Sequence, residues 1–217
     1  MSIAMLLGAA SGFALSVVCE QFCKRIGSPA MRQHWQLQRG IATLATAILC
    51  ANLHQAYGWS LAFAKFMLCC SLLMLIAMID LRTRLIPNVL TALGAALALA
   101  FGMLLPSPGL MAVLGGAALG GAMFLLLAVL RRNAMGFGDV KLAMLIGMMT
   151  GFPWVLQALV LGIVLGGLAA AVLLLTRLRK PKQYIPYAPY LAAGAMLTLL
   201  YGARIAAWYA GLKGGQA

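Results

Sequence analysis

The chain carries only three acidic side chains, Glu20, Asp80 and Asp139, among its 217 residues. Asp80 closes the apolar stretch "LLMLIAMID", and Asp139 follows a glycine in "GFGDVKL", directly before another apolar stretch. A carboxylate near hydrocarbon costs about 2.5–3.5 kcal/mol or more at the centre of a bilayer, and it therefore indicates a partner or a task. The two aspartates are the first candidates for a chemical role.

Two carboxyl groups that meet in such a place share a proton, because like charges a few ångströms apart do not both ionise easily. The ionised member takes a proton from water, and the protonated member donates to the carbonyl under attack. Water then adds to a peptide bond without a covalent enzyme intermediate. Because such a pair titrates as a unit, we assign no separate roles to Asp80 and Asp139.

The composition predicts where these aspartates lie. Apolar residues make up 64% of the chain, charged residues 9%, and the mean hydropathy is +1.00. A soluble domain of this length does not hide so much apolar surface, so we predict an all-α, polytopic integral membrane protein with about eight transmembrane helices. We expect one membrane-embedded domain over 1–217, with no cleaved signal and no soluble second domain. The predicted segments are 3–22, 41–57, 60–80, 89–105, 109–130, 138–152, 154–176 and 186–210.

The basic residues predict the orientation. A formal net charge of +13 would suggest nucleic acid for a soluble protein, but here the excess is typical of cytoplasmic loops, so we expect no nucleic-acid partner. With the N-terminus outside, the inside loops hold all of the 16 basic residues except Lys65, Arg204 and Lys213. This orientation puts both termini outside, and it puts Asp80 and Asp139 at the cytoplasmic boundary.

The residues beside Asp139 have both a functional and a structural interpretation. Gly136 and Gly138 let the backbone make a strained turn and let a peptide approach closely, or they merely lead into a helix with Asp139 as its N-terminal cap. Lys141 either tunes the acid pair or binds an acidic group on a substrate, or it is a basic residue facing lipid phosphate.

Two further features concern the segments that carry the aspartates. Pro87 and Asn88 are expected to start the fourth helix and so to shape the loop after Asp80. The sixth segment, 138–152, would be roughly 22 Å long as a helix, shorter than the ~30 Å hydrocarbon core. Either the bilayer is thinner there, or Asp139 is drawn into a protein-lined cavity.

Other polar and small residues favour structural roles. Gly116 and Gly120 have a spacing typical of helix packing, with a groove for an apolar substrate helix as the alternative. Glu20 is expected to pair with a nearby Lys or Arg, although contact with a basic substrate segment stays open. Tyr187 and Tyr190 fit an aromatic belt at the membrane interface.

The cysteines and histidines favour neither a disulfide framework nor a metal site. No two cysteines form a C-x-x-C pair, so zinc is not supported, and His34 and His54 are isolated in sequence. We therefore predict no metal and no cofactor. The five cysteines are expected to be small buried apolar residues: Cys19, Cys23, Cys50, Cys69 and Cys70.

Four stretches of the chain resemble the prepilin peptidases. "DLRTRLIPN" (80–88) is similar to their D-x-x-x-x-x-I-P-[DN] motif, and "GFGDVKL" (136–142) is similar to their G-x-G-D-x-K-L motif. "IPYAPYLAAGA" (185–195) resembles the family's I-P-[FY]-x-P-[FY]-L-x-x-G segment, and 8–26 resembles its first helix with the basic residue that follows. The resemblance covers nearly the whole chain, in the family's order and spacing.

The resemblance implies an aspartic endopeptidase of the bacterial inner membrane. Such enzymes remove the short basic leader of type IV prepilins, or of type II secretion pseudopilins, after a glycine at the cytoplasmic face. Asp80 and Asp139 then correspond to the catalytic pair. The implied partners are a prepilin or pseudopilin substrate and membrane lipid, whereas the sequence does not indicate an oligomeric state.

One element of the family pattern is missing. Many prepilin peptidases carry a four-cysteine cytoplasmic insertion after the first helix, associated with N-methylation of the new N-terminus from S-adenosylmethionine. The corresponding loop here, 24–40, contains no cysteine. We therefore predict a peptidase without methyl transfer.

A proton- or cation-coupled transporter with the two aspartates as a relay is the alternative function. Transporters usually hold such carboxylates near the bilayer midplane, whereas the orientation predicted here puts both at one face.

Overall fold

The structure, a computed structural model, describes residues 2–25, 35–130, 136–176 and 186–214. Within these ranges the chain forms eight α-helices and no strand, so the predicted all-α class is confirmed. The helices are α1 (Ser2–Arg25), α2 (Trp35–Tyr57), α3 (Leu61–Thr83), α4 (Asn88–Leu104), α5 (Leu110–Leu130), α6 (Phe137–Thr150), α7 (Trp154–Leu175) and α8 (Ala188–Gly214).

Five of these helices are long and apolar enough to cross a membrane, judged by length and composition, and α4 is a shorter apolar helix. Many of their large apolar side chains are exposed, which is unfavourable in water but suits contact with lipid. The protein is therefore a polytopic membrane protein. That α2, α4 and α6 also span the membrane stays a prediction. The five spans are Ile3–Arg25, Leu61–Thr83, Leu110–Leu130, Trp154–Leu175 and Ala188–Tyr209.

Several helices extend beyond the predicted segments. α1 continues to Arg25 and α2 begins at Trp35, so much of the predicted loop 24–40 is helical. Hydropathy marks only the apolar part of a helix, whereas backbone hydrogen bonding continues into polar sequence. For the same reason α3 runs through Thr83, and Asp80 lies inside its last turn instead of at its end.

The chain divides into two compact units, Met1–Leu97 and Ala98–Ala217. In the first unit, α1 packs along α2 and both contact α3. The approach of α1 to α2 is close: a Cβ on Gly12 would lie 2.8 Å from the Ala42 carbonyl oxygen. The core at the Asp80 end of this unit consists of Cys19, Cys23, Ala42, Leu75, Met78 and Ile79.

The second unit is built from two closely packed helix pairs, α5 with α6 and α7 with α8. Gly116 of α5 and Gly147 of α6 meet backbone to backbone, and a Cβ on Gly120 would lie 2.5 Å from the Ala143 carbonyl oxygen. Gly162 and Gly194 make the equivalent contact between α7 and α8. α6 also contacts α7 and α8, so three helices of this unit pack against it.

The glycine contacts bear on the two interpretations of Gly116 and Gly120. Both positions are filled by the backbone of α6, which supports helix packing over a substrate groove at this place.

Several of the basic residues that predict the orientation lie outside the described residues, so the orientation stays a prediction. The basic residues concerned are Arg32, Arg131, Arg132, Arg177, Arg179, Lys180 and Lys182.

Candidate active site

Asp80 is buried in the last turn of α3, with 4% of its surface exposed. Its backbone carbonyl accepts a hydrogen bond from the Arg84 N–H at 2.9 Å. Arg84 adopts the left-handed conformation, with φ 54°, and so ends the helix. The carboxylate is thus carried by regular helix and lies one turn before a defined helix end.

The chain after Asp80 turns tightly into the next helix. The Thr83 hydroxyl donates to the Ile79 carbonyl at 3.0 Å and accepts from the Leu85 N–H at 3.3 Å. Asn88 is the first residue of α4, and the carbonyl of buried Pro87 accepts the first backbone hydrogen bonds of that helix. The prediction that Pro87 and Asn88 start the fourth helix is therefore confirmed.

A polar cluster joins three helices at this end of the first unit. Glu20 forms an ion pair with Lys24, at 2.7 Å, and a second with Arg39 at the start of α2. The Arg82 guanidinium donates to the Gln38 side-chain oxygen. The expected pairing of Glu20 with nearby basic residues is confirmed, and Arg82, two residues after Asp80, is held to the neighbouring helix.

Asp139 is buried in the first turn of α6, with 6% of its surface exposed. The N-terminal cap is Gly136, whose carbonyl accepts the Asp139 N–H at 3.0 Å. The interpretation of Asp139 as the cap itself is wrong: it is the third residue of the helix. At that position the aligned peptide dipoles stabilise a negative charge.

The glycines of this motif are not strained. Gly136 has φ −81° and ψ 150°, an extended conformation open to any residue, so the expected strained turn is not found. A Cβ placed on Gly136 would lie 4.0 Å from the Asp139 Oδ2 atom, an ordinary contact. Gly138 lies within the first turn of α6 and is half-buried, whereas Lys141 is exposed.

Tyr187, predicted to lie in an aromatic belt at the membrane interface, is within electrostatic reach of Asp139. It precedes α8 and is half-buried. Burial raises the pKa of the Tyr187 phenol, and the negative charge of Asp139 raises this pKa further. The position of Tyr187 in the third resembling segment was the one available sign, but nothing in the segment indicates which helix the ring contacts.

In the described part of the chain, neither metal binding nor thiol chemistry has structural support. No three His, Cys, Asp or Glu side chains there lie close enough to hold a metal ion. All five cysteines are free and buried, as expected for small apolar residues. A metal-free and cofactor-free enzyme stays a prediction.

The fold and these residues define a class: a polytopic, all-α membrane protein with one buried aspartate near a helix end in each of its two units. The pairing of Asp80 with Asp139 stays a prediction.

Comparison with known proteins shows which family within this class the chain belongs to. The sequence model of the type IV leader peptidase family matches residues 67–171, a stretch that includes both aspartates. The prepilin leader peptidase/N-methyltransferase of Bacillus subtilis (strain 168) is 32% identical over 168 residues, 77% of this chain and 68% of that protein. The chain belongs to the type IV leader peptidase family.

Other relatives of the same name are more distant. The proteins of Pseudomonas putida and Stutzerimonas stutzeri are 31% and 29% identical, over 81% and 78% of this chain. The chain spans only 63% and 60% of their lengths. No solved structure matches.

Proposed function

We propose that this protein is an aspartic endopeptidase that cleaves the short basic leader of type IV prepilins, or of type II secretion pseudopilins. The observation that carries the proposal is the family match over 67–171, which spans both aspartate motifs. Burial of Asp80 and Asp139 supports it, because a buried carboxylate in a membrane protein implies a partner or a task.

In the proposed mechanism the two aspartates act as one acid–base pair. The ionised carboxylate removes a proton from a water molecule, whose oxygen adds to the scissile carbonyl carbon. The protonated carboxyl donates its proton to the carbonyl oxygen. Collapse of the tetrahedral intermediate breaks the C–N bond, and the amine leaves with the proton that the first carboxylate took.

The residues around the pair are proposed to receive the substrate backbone. Gly136 is exposed and extended, so its main chain is open to a peptide that lies alongside it. Gly138 and exposed Lys141 lie on the following turn, and Pro87 with Asn88 fixes the chain after Asp80. We propose these five residues as the substrate-binding part of the site.

We propose that the enzyme lies in the bacterial inner membrane with its site at the cytoplasmic face. Several described basic residues support this: Lys24, Arg25, Arg39, Arg82 and Arg84 lie at the ends of α1 and α3 and the start of α2. This charge is expected on the cytoplasmic side.

The proposed activity does not include methyl transfer. Between α1 and α2 the chain has only residues 26–34, and 24–40 holds no cysteine that could close a zinc-bound insertion. A stretch far below about 40 residues does not build a stable core unaided.

Co-expression tests the proposal. Membranes containing this protein and a prepilin with a short basic leader should yield a faster-migrating pilin on a denaturing gel. A substrate whose glycine before the cleavage point is replaced by a bulky residue is the matched control and should stay uncut. Absence of a shift with several prepilins and pseudopilins, while the protein is present in the membrane, would contradict the proposal.

A further inference from the structure

We propose that Gln38 is a positioning residue for Asp80: through its hydrogen bond to Arg82, it fixes the turn of α3 that carries the carboxylate. This inference rests on the proposed aspartic peptidase. All the residues involved lie in the first unit, at the ends of α1 and α3 and the start of α2.

The turn that carries Asp80 is the last turn of α3, which ends at Thr83. The carbonyls of a last turn have no partner further along the helix, so such a turn opens more readily than the middle of a helix. The hydrogen bond from the Arg84 N–H to the Asp80 carbonyl, at 2.9 Å, closes this turn. The Asp80 carboxylate is therefore positioned only as well as the turn itself.

The hydrogen bond between Gln38 and Arg82 joins this turn to α2. The Arg82 guanidinium donates through its Nη2 atom to the Gln38 Oε1 atom, and both side chains are half-buried. A hydrogen bond with a charged donor is about twice as strong as a neutral one, and partial burial strengthens it further. Because Arg82 lies two residues after Asp80 in the same helical turn, a restraint on Arg82 also restrains the backbone of Asp80.

The α2 end of this hydrogen bond is itself anchored to α1. Arg39, the residue after Gln38, forms an ion pair with Glu20, and its carbonyl accepts the Thr43 hydroxyl at 2.8 Å. Consecutive residues of a helix point about 100° apart, so Gln38 and Arg39 reach two different helices from neighbouring positions. The start of α2 therefore ties the end of α3 to the end of α1.

The core beside Asp80 supports this turn in a different way. Met78 and Ile79, directly before Asp80, belong to the buried core at this end of the unit. Apolar contacts of this kind are not directional, whereas a hydrogen bond requires the donor to point at its acceptor. We assign to Gln38 the rotation of the turn, and with it the direction in which the carboxylate leaves the helix.

Gln38→Met is the first test, because methionine keeps the length and helix preference of glutamine but has no amide oxygen to accept the guanidinium. We expect kcat for leader cleavage to fall about tenfold, since a misplacement of about 1 Å costs about a hundredfold. KM should change by less than about twofold, because the residues proposed to bind the substrate are untouched. Gln36→Met, at an exposed position of the same helix, should leave both constants unchanged.

Two further variants separate positioning from packing. Gln38→Glu keeps an acceptor for the Arg82 guanidinium and should recover most of the lost kcat. In an Arg82→Met background, Gln38→Met should cause no further fall in kcat, because the two residues act through one hydrogen bond. If the two losses multiply, or if Gln38→Glu is no better than Gln38→Met, the inference is wrong.

Hydrogen exchange tests the hold on α3 without a substrate. In detergent micelles, the Arg84 N–H signal of ¹⁵N-arginine-labelled protein is identified by its loss in Arg84→Lys. This N–H closes the Asp80 turn, so it should exchange about ten times faster in Gln38→Met, whereas Gln36→Met should leave its rate unchanged.

The exchange rate also separates this inference from the proposed function. An unchanged Arg84 rate in Gln38→Met overturns the inference, and so does a faster rate accompanied by a normal kcat. If the wild-type protein cleaves no prepilin but the Arg84 rate rises only in Gln38→Met, the proposed function fails, while the hold of Gln38 on the Asp80 turn stands.

Discussion

At the residue scale the two aspartates occupy opposite helix ends. Asp139 lies in the first turn of α6, where the peptide dipoles stabilise negative charge, and Asp80 lies in the last turn of α3, where they oppose it. If the two carboxyls form a pair, we expect the shared proton to favour Asp80 and the charge to favour Asp139. Asp139, on α6, would then be the carboxylate that takes a proton from water, and Asp80 would be the carboxyl that donates one.

Asp80→Asn and Asp139→Asn should each reduce leader cleavage by about 10²–10⁴-fold, the usual contribution of acid–base catalysis. Asparagine keeps the size and hydrogen bonding of aspartate but cannot exchange the proton. Gel assays with equal amounts of membrane-inserted enzyme measure the loss. Glu20→Gln is the control, because Glu20 already has Lys24 and Arg39 as partners, and it should be far milder. Cleavage near the wild-type rate in either Asn variant would exclude the pair.

The pairing itself can be measured without a substrate, because the chain contains only two aspartates. In protein labelled at the aspartate carboxyl carbon, the two signals should titrate in two steps more than about one unit apart. Removing either partner should collapse this to a single step for the other. If each aspartate titrates in the same way whether or not the other is replaced, the shared proton is contradicted.

At the element scale, glycines set the distances between helices. In a membrane the apolar faces of helices gain little by leaving lipid, so close backbone approach provides the packing energy. Gly116 against Gly147, and Gly120 against Ala143, bring α5 onto α6 and thereby fix the helix that carries Asp139.

Gly116→Ala should destabilise the protein by about 1–3 kcal/mol, because its methyl would overlap the backbone at Gly147. Thermal unfolding in detergent measures the effect. Gly115→Ala is the matched control: its nearest contact, the Phe152 Cβ atom, would be 3.6 Å away. It should change stability by no more than about 0.5 kcal/mol. Equal effects of the two substitutions would show that this glycine contact does not hold α5 to α6.

At the scale of the whole molecule, the basic residues predict that both aspartates face the cytoplasm. Single cysteines placed in 131–135 or 178–183 of a cysteine-free variant should be shielded from an impermeant thiol reagent in intact spheroplasts. One at 106–108 should react. All five native cysteines are buried, so their replacement by alanine or serine leaves the outer surface unchanged. The reverse labelling pattern would put the aspartates at the outer face and remove the case for a leader peptidase.

The short connection between α1 and α2 makes a separate prediction about the product. Pilin matured by this enzyme alone should carry a free N-terminal amine. Mass spectrometry of its first proteolytic peptide tests this, since an enzyme-dependent gain of one methyl group would add about 14 Da. That gain would show that methyl transfer does not require the missing insertion.

The helices, their apolar character and the two aspartate motifs can be read from the sequence, because hydropathy, turn residues and short motifs are local properties. The sequence also indicated Glu20 as paired, since a lone carboxylate among many basic residues finds a partner. The packed helices were needed to show that Asp139 follows a glycine cap, that Gly116 meets Gly147 backbone to backbone, and that Arg82 bonds to Gln38. Such contacts escape prediction because a membrane helix is apolar on all sides, so its sequence carries no period that distinguishes the face in contact with protein from the face in contact with lipid.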